Sequence, residues 1–377
     1  MKKRRLFLMA AAFLLAAAMS VTAFAAGGSA ENGSELKTLL DSTVSGDEIS
    51  LTNNVSLPAG EATLKRGVSL KSSDATNRTL TAGSGVTFKI DLSAKVAGKV
   101  NIVTTGSGKV AFLTTDSEGN NPAPVTGFVS GAPKVGGKTA TLKDGKYYVD
   151  TSANTANIEV PVNSAFDGGN AGASTDYPGV KLFLVDAGGI TRDSENNITA
   201  IDSSKVYGGD YDSDNSRVDF SNVPVKNKTY IVMARVGGSG GSLVETADAI
   251  VTYDGSDVKV EAKSLDWANL KAGRAYDAFT VTNPGNFPVT AEISGSVTVS
   301  DYLTLTAGGK LTALQPMGKT GITVKFKFEL PDGSTKTVDL GSRQTEIKRP
   351  VTAPQSAGVY TNQRTKIFTI DMPASGS

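Results

Sequence analysis

Residues 279–293 read FTVTNPGNFPVTAEI, the clearest succession of strand, turn and strand in the chain. Phe279 and Val281 alternate with threonines, as the inward and outward residues of a half-buried strand do. The triplet 283–285, Asn-Pro-Gly, supplies residues that favour a turn, and Val289 resumes the next strand. The stretch therefore predicts β-structure on both sides of a tight turn.

The surrounding segment, residues 265–333, adds features of the same kind. An aromatic-containing strand with Trp267 comes first, then Gly273, then FTVTNPGN (279–286), and finally LQPMGKTGITVKFKF (314–328). This order resembles the immunoglobulin-like domains of bacterial surface proteins and of the ASPM/SPD-2/Hydin group, although Gln-Pro-Met-Gly departs from their proline-glycine turn. The resemblance implies an immunoglobulin-like β-sandwich over residues 263–348, a fold used mainly as a spacer or binding module.

The rest of the chain is also typical of β-structure, with 41 glycines and short alternating apolar runs between turn-forming clusters. Only SELKTLLDST (34–43) predicts a helix, with Ser34 as its N-cap and three leucines on one face. We predict an all-β fold class: a short N-terminal β-solenoid-like or irregular β domain, followed by two β-sandwich domains.

The first predicted domain, residues 26–117, has very short apolar strands at close intervals, such as ISL (49–51) and VSL (68–70). Strands of about three residues suit stacked coils better than ordinary hairpins. Residues 35–73 resemble the opening of a right-handed β-helix, with a capping helix before the first coils. A small irregular β-sandwich is the alternative.

A linker rich in glycine, proline and asparagine is predicted over residues 118–137, and a β-sandwich domain over 138–262. In that sandwich, the pair 144–145, Asp-Gly, predicts a type I′ hairpin. The run SRVDFSNVPVKNKTYIVMARV (216–236) resembles fibronectin type III or collagen-adhesin B repeats, with Tyr230 as the inward aromatic residue.

The predicted tail, residues 349–377, ends with an alternating segment that includes Lys366, Phe368 and Ile370 and reads as one last strand. This strand either closes the third domain or is exchanged with a neighbouring molecule. We favour its return to the domain's own sheet.

The first 25 residues predict export. Four basic residues precede an alanine-rich apolar run and the triplet Ala-Phe-Ala (23–25), which is the order of regions in a secretory signal peptide. Cleavage before Ala26 would change the formal charge from +1 to −3 and leave no membrane span in the mature chain. A slightly acidic exported protein has no electrostatic reason to bind nucleic acid or an anionic membrane.

The chain contains no cysteine and no histidine. This composition excludes disulfides, a Ser-His-Asp triad, a cysteine nucleophile, and zinc sites built on imidazole or thiolate. Carboxylate chemistry and metals bound by oxygen ligands remain.

The segment GGDYDSDNS (208–216) is the best candidate for such a metal site. Asp210, Asp212 and Asp214 match the first three ligand positions of an EF-hand calcium loop. Asn215 stands where that loop needs glycine, and Ser221 where it needs glutamate. The segment therefore predicts either a calcium site at the three aspartates or a plain acidic turn, and no other cofactor.

Two further side chains are open to more than one interpretation. Lys181 lies among apolar residues, so it is either the lysine of an isopeptide bond or an outward-pointing strand residue. Trp267 is either a core residue or a platform for stacking a sugar.

We predict a non-enzymatic, exported cell-surface protein of structural or adhesive type, secreted and associated with the cell envelope. Its partners would be an extracellular protein or glycan, with self-association as an open alternative. The competing hypothesis is a polysaccharide-binding or polysaccharide-degrading protein that uses a groove of the N-terminal β-solenoid.

Overall fold

The computed structural model describes residues 27–163, 176–350, 360–362 and 365–367. The chain forms two compact units, the first ending at Tyr253 and the second beginning at Asp254. Strands dominate both, which confirms the all-β prediction. The finer domain boundaries stay a prediction, and the predicted signal segment lies outside the described residues.

The first unit begins with eleven strands and one α-helix. They are β1 (Gly28–Ala30), α1 (Gly33–Ser42), β2 (Glu48–Leu51), β3 (Val55–Ser56), β4 (Gly60–Leu64), β5 (Ser69–Ser72), β6 (Arg78–Ala82), β7 (Val86–Asp91), β8 (Lys95–Val96), β9 (Val100–Thr104), β10 (Lys109–Thr114) and β11 (Ala123–Val125).

These strands form three sheets with parallel pairing, in the orders β1-β2-β5-β8, β3-β6-β9 and β4-β7-β10, and only β11 is antiparallel, beside β10. Each successive turn of the chain adds one strand to each sheet. Leu64 and Phe88 are fully buried, whereas Thr63, next to Leu64, and Lys89, next to Phe88, are partly exposed and face outward. Stacked coils require this kind of pairing. That the segment is a β-solenoid stays a prediction.

Helix α1 lies at the start of these sheets and begins differently from the prediction. Asn32, not Ser34, is the N-cap, and its Oδ1 accepts hydrogen bonds from the amides of Ser34 (3.1 Å) and Glu35 (3.0 Å). The Glu35 carboxylate in turn accepts from the amide of Glu31 at 2.8 Å. The predicted N-cap was wrong because the Asn32 side chain satisfies free amides of the first turn and the Glu35 side chain reaches back to the amide before Asn32. The cap therefore lies two residues earlier than predicted.

The remaining strands of the first unit form two antiparallel-rich sheets and a small hairpin. They are β12 (Lys134–Val135), β13 (Lys138–Thr139), β14 (Thr141–Lys143), β15 (Lys146–Asp150), β16 (Thr155–Pro161), β17 (Val180–Asp186), β18 (Ile190–Arg192), β19 (Ile198–Ile201), β20 (Val206–Gly208), β21 (Asp210–Asp212), β22 (Arg217–Pro224), β23 (Lys228–Val236) and β24 (Val244–Tyr253). The sheets have the orders β13-β12-β16-β22-β21 and β14-β15-β24-β23-β17-β20, and β18 pairs with β19. Short 3-10 helices span Ala187–Gly189 and Ser203–Lys205.

Two local predictions are confirmed in this part of the chain. Asp144 (φ 49°) and Gly145 (φ 75°) turn β14 back onto β15, as the Asp-Gly pair predicted. Tyr230 is fully buried, and its hydroxyl donates a hydrogen bond to the carbonyl oxygen of Pro224. Burial raises the pKa of Tyr230.

One apolar core runs through the whole first unit. It includes leucines and valines of the parallel sheets together with inward residues of both later sheets, such as Ile158, Phe220 and Ile250. Phe112 of β10 meets Phe128 edge-to-face, with ring centroids 5.5 Å apart. The parallel-strand segment is thus continuous in its packing with the sheets that follow.

A partly buried ion pair at the end of β17, between Asp186 and Lys228, gives a test of pH dependence. Burial alone would raise the pKa of Asp186, but the Lys228 ammonium at 2.7 Å and the Gly188 amide at 3.0 Å outweigh it and lower that pKa. A lowered pKa stabilises the fold above about pH 4, the unfolded value for aspartate, and this stabilisation is lost as the pH falls through the folded value.

We expect Asp186→Asn to lower the free energy of unfolding at pH 7. The difference in this free energy between the variant and the natural chain should become smaller as the pH falls to about 3. Urea unfolding followed by circular dichroism at both pH values measures this. A difference that stays the same at the two pH values would contradict the assignment.

The second unit contains nine strands up to residue 348. They are β25 (Lys259–Ala262), β26 (Leu270–Lys271), β27 (Arg274–Asp277), β28 (Phe279–Thr282), β29 (Val289–Gly295), β30 (Leu303–Leu305), β31 (Lys310–Ala313), β32 (Met317–Glu329) and β33 (Thr335–Lys348). The sheets are β25-β28, β26-β33-β32-β29 and β27-β31-β30. Short 3-10 helices span Gly255–Asp257, Trp267–Asn269 and Val299–Asp301.

The strands flanking the 283–285 turn therefore belong to different sheets. Phe279 is buried as predicted, and the Asn283 side chain closes the turn through hydrogen bonds with both the amide and the carbonyl of Phe287. Trp267 was predicted in a strand and lies instead in a 3-10 turn, because Asp266 accepts from the amide of Ala268 and caps that turn.

The C-terminal tail is described only in part. β34 (Tyr360–Asn362) and β35 (Thr365–Ile367) pair with each other, and Lys366 belongs to β35. The rest of the predicted last strand, including Phe368 and Ile370, lies outside the described residues.

Candidate functional site

The three aspartates of the calcium hypothesis lie on one hairpin of the five-stranded sheet. Asp210 and Asp212 belong to β21, which pairs with β22, and Asp214 lies in the turn between them. Asp212 organises that turn: its carboxylate accepts from the amide of Asp214 (3.1 Å) and from the amide and side chain of Asn215 (3.2 and 2.7 Å). The hydrogen bond from the Asn215 side chain is the main reason that the pKa of Asp212 is lowered.

Arg217 lies at the centre of the charges on this hairpin. Its guanidinium contacts Glu159 of β16 at 3.0 Å, Asp219 at 3.0 Å and Asp212 at 3.4 Å. Asp210 is the residue directly opposite Asp219 in the strand register. Three acidic residues from three neighbouring strands therefore contact one cation, and Asp210 lies next to one of them.

This arrangement differs from a calcium loop in its chemistry. Among the residues that the structure describes, no group of three or more acidic side chains is arranged to hold a metal ion. The structure brings Asp210 and Asp212 into a cluster with Glu159, Arg217 and Asp219, which sequence reasoning missed. The alternation of charges in RVDF was the only signal for it. Calcium binding at Asp210, Asp212 and Asp214 and a plain acidic turn stay the two alternatives, and the contacts of Asp212 and Arg217 favour the turn.

Excess EGTA is expected to leave the melting temperature of the protein unchanged. Asp212 already uses its oxygens to stabilise the turn, and Arg217 occupies the position beside it that a cation would take. Calcium-saturated EGTA is the control. A lower melting temperature in free EGTA, abolished by Asp214→Asn, would establish the calcium site instead.

Two clefts open on the parallel-strand segment of the first unit. The first has a volume of about 540 Å³ and is lined by polar groups and one aromatic ring: Lys71, Ser72, Asp74, Ala97, Gly98, Lys99, Asp176 and Tyr177. The second has a volume of about 520 Å³ and is more apolar, with Ala111, Phe112, Leu113, Pro122 and Pro124 beside Thr63, Lys65, Arg66, Lys89, Asp91, Thr115 and Gly119.

Two of the three carboxylates that line these clefts are held by structural hydrogen bonds. Asp74 accepts from the amide of Thr76 (2.8 Å) and from Arg78 (2.9 Å), and the Thr76 amide is the main cause of its lowered pKa. In the second cleft, Asp91 is fully buried and accepts from the amide of Ser93 (2.8 Å) and the hydroxyl of Thr115 (2.7 Å). A glycosidase needs one carboxyl group with a raised pKa as general acid, so Asp74, whose pKa is lowered, does not suit that role.

The two ambiguous side chains are also placed. Lys181 is exposed on β17, opposite Arg235 in the neighbouring strand, which is the outward position. In the second unit, Trp267 is half-buried against Phe279, with ring centroids 5.9 Å apart, and the Arg343 guanidinium lies 5.2 Å from its ring. This is a cation–π contact that fixes the indole on the core surface.

No helix of the described residues is long and apolar enough to be a membrane-spanning segment. No protein-family model matches the chain, and no curated protein matches it either.

Among solved structures, immunoglobulin domains 1–4 of Sidekick-1 match with 10% identity and a TM-score of 0.28, covering 66% of this chain and 53% of that one. Cadherin domains 3–6 of protocadherin gamma B2 match with 10% identity and a TM-score of 0.28, covering 61% and 56%. The human desmocollin-1 ectodomain has 10% identity and a TM-score of 0.19, covering 61% and 44%. The chain thus spans about half the length of these proteins, and with TM-scores below 0.5 their similarity carries no argument about function.

Proposed function

We propose that this chain is an exported, non-enzymatic cell-surface protein of structural or adhesive type, which presents binding faces on rigid β domains. The observation that carries the proposal is the state of the cleft carboxylates: both oxygens of Asp74 and of Asp91 are taken by structural hydrogen bonds. These two carboxylates hold the fold together, so neither is poised as the acid or base of a hydrolysis. Asp176 is the remaining carboxylate of the first cleft.

Further support comes from the chain's composition and its leader-like first 25 residues. The absence of histidine and cysteine removes the common nucleophiles and bases. We infer a bacterial surface protein whose residues 263–348 are of the ASPM/SPD-2/Hydin type, located outside the cell and bound to an extracellular protein or glycan. These inferences depend on the sequence resemblances and are open to direct test.

The test combines location, binding and turnover. The full chain, expressed in a bacterium with a tag at its C-terminus, is expected in the envelope or medium and cleaved before Ala26. The mature protein, immobilised, is expected to retain a ligand from an array of glycans and extracellular proteins without releasing new reducing ends. Cytoplasmic retention, or shortening of a polysaccharide, would overturn the proposal.

Polysaccharide binding in the first cleft is the second candidate. Its support is the lining, because a half-buried tyrosine next to lysine and serine donors is the kind of surface that stacks and hydrogen-bonds a sugar. Tyr177→Ala is expected to weaken glycan binding if this cleft is the site. Unchanged glycan binding would remove the cleft from the account.

A further inference from the structure

A basic hairpin lies at one edge of the six-stranded sheet, formed by β14 and β15. Lys143 and Lys146 flank the Asp144-Gly145 turn and are directly opposite each other in the register. Like charges at directly opposite positions of an antiparallel pair destabilise it. The hairpin therefore keeps a charge arrangement that costs stability.

The surroundings leave this charge largely uncompensated. Lys71, Lys89 and Lys228 of the same unit each contact a carboxylate at 2.6–2.8 Å. Within the described ranges, neither lysine of the hairpin forms such an ion pair. Asp144 in the turn is the acidic residue between them.

The two ammonium groups share their face with an aromatic ring. Thr141 pairs with Tyr148, so side-chain alternation places Tyr148 on the same face as both lysines. Tyr148 is half-exposed, whereas Tyr147, on the opposite face, is 9% exposed and belongs to the core. The outer face thus combines two cations, a hydroxyl and a ring accessible from solvent, with the exposed Asp150 at the far end of β15.

We infer that the outer face of this hairpin, defined by Thr141, Lys143, Lys146 and Tyr148, binds an acidic polysaccharide. The inference rests on the proposed function and names the partner class for one of its binding faces. The ammonium groups would pair with carboxylates on the sugars, and the Tyr148 ring would stack on a sugar face. A lipid surface fits less well, because Leu142, 60% exposed, lies on the face opposite to the lysines.

Alginate, which carries one carboxylate on every sugar, is the probe, and neutral dextran is its control. We expect the mature protein to bind alginate in a salt-sensitive way and not to bind dextran. Lys143→Gln with Lys146→Gln should weaken alginate binding by about tenfold, the effect of losing two partly exposed ion pairs. The melting temperature of this double variant should stay the same or rise, because the repulsion between the two lysines has been removed.

The matched control is Lys310→Gln with Lys319→Gln, two exposed lysines of the second unit whose loss changes the net charge by the same amount. The dissociation constant of this control variant for alginate should lie within about twofold of that of the natural chain. Equal losses in the two double variants, or full binding by the hairpin variant, would overturn the inference.

Tyr177→Ala distinguishes the first cleft from the hairpin as the glycan site. If this variant loses alginate binding and the hairpin variant does not, alginate binds in the first cleft and the inference about the hairpin is wrong. If the protein binds another extracellular partner or anionic vesicles but not alginate, the inference fails while the proposed function stands. Failure to bind any partner would count against both.

Discussion

Replacing Phe326 by alanine is expected to lower the free energy of unfolding of the second unit by about 3–5 kcal/mol. Phe326 lies in β32 and is 0% exposed, and its ring meets Phe279 edge-to-face at 5.5 Å. Val324 and Phe328, two residues away on either side, are also 0% exposed and share its face. Truncation would therefore leave a cavity that the long ladder of β32 and β33 is unable to close.

Trp267 provides the measurement, since it is the single tryptophan of the chain and contacts Phe279. Its fluorescence during urea unfolding reports on the second unit. Leu314→Ala, at a residue that is 45% exposed in the same unit, is the control and should change the free energy of unfolding by less than about 0.5 kcal/mol. Similar losses in the two variants would show that Phe326 is not part of a tightly packed core.

Replacing Gly33 by alanine is expected to destabilise the first unit by about 3 kcal/mol, the upper part of the usual range for overpacking. Gly33 is the first residue of α1 and is buried. A Cβ atom there would lie 1.7 Å from the carbonyl oxygen of Ser56 and 2.7 Å from its carbon. Because those atoms are backbone, relief would require α1 to move away from β3.

Thermal unfolding followed by far-ultraviolet circular dichroism measures this effect. Gly131→Ala is the matched control, because its Cβ would meet only Pro161, at an ordinary 3.8 Å, and its backbone conformation suits alanine. That control should be neutral or slightly stabilising. Equal melting temperatures for the two variants would mean that α1 does not rest directly on the backbone of β3.

Local features of this fold could be predicted well from sequence. The hairpin at 144–145 and the burial of Tyr230 follow from turn chemistry and alternation, which act over a few residues. The helix near 34–43 was predicted with the correct length and a shift of one residue, Gly33–Ser42. Its N-cap was misplaced because Asn32 and Ser34 are both good capping residues, and the contact from Glu35 decides between them.

The candidate site could be predicted only in part, for a reason of distance along the chain. Asp212 and Arg217 are close in sequence, but Glu159 reaches Arg217 across 58 positions, through the pairing of β16 with β22. Strand order in a sheet is set by the whole core and not by local pattern. The same applies to the two clefts, whose walls come from strands in different turns of the chain.

The parallel ladders of the first unit also bear on how such a chain can change in length. Glu48 lies beside Ser69, 21 positions later, and Ser69 lies beside Lys95, 26 positions after that. Within these ladders each strand pairs in parallel only with the strand one layer before and one layer after. Inserting or deleting a whole layer would therefore keep the register of the other parallel strands, whereas a change of a few residues within a strand would not. Related chains would accordingly differ here by steps of about 20 to 26 residues, lengthening or shortening the molecule while the later sheets stay the same.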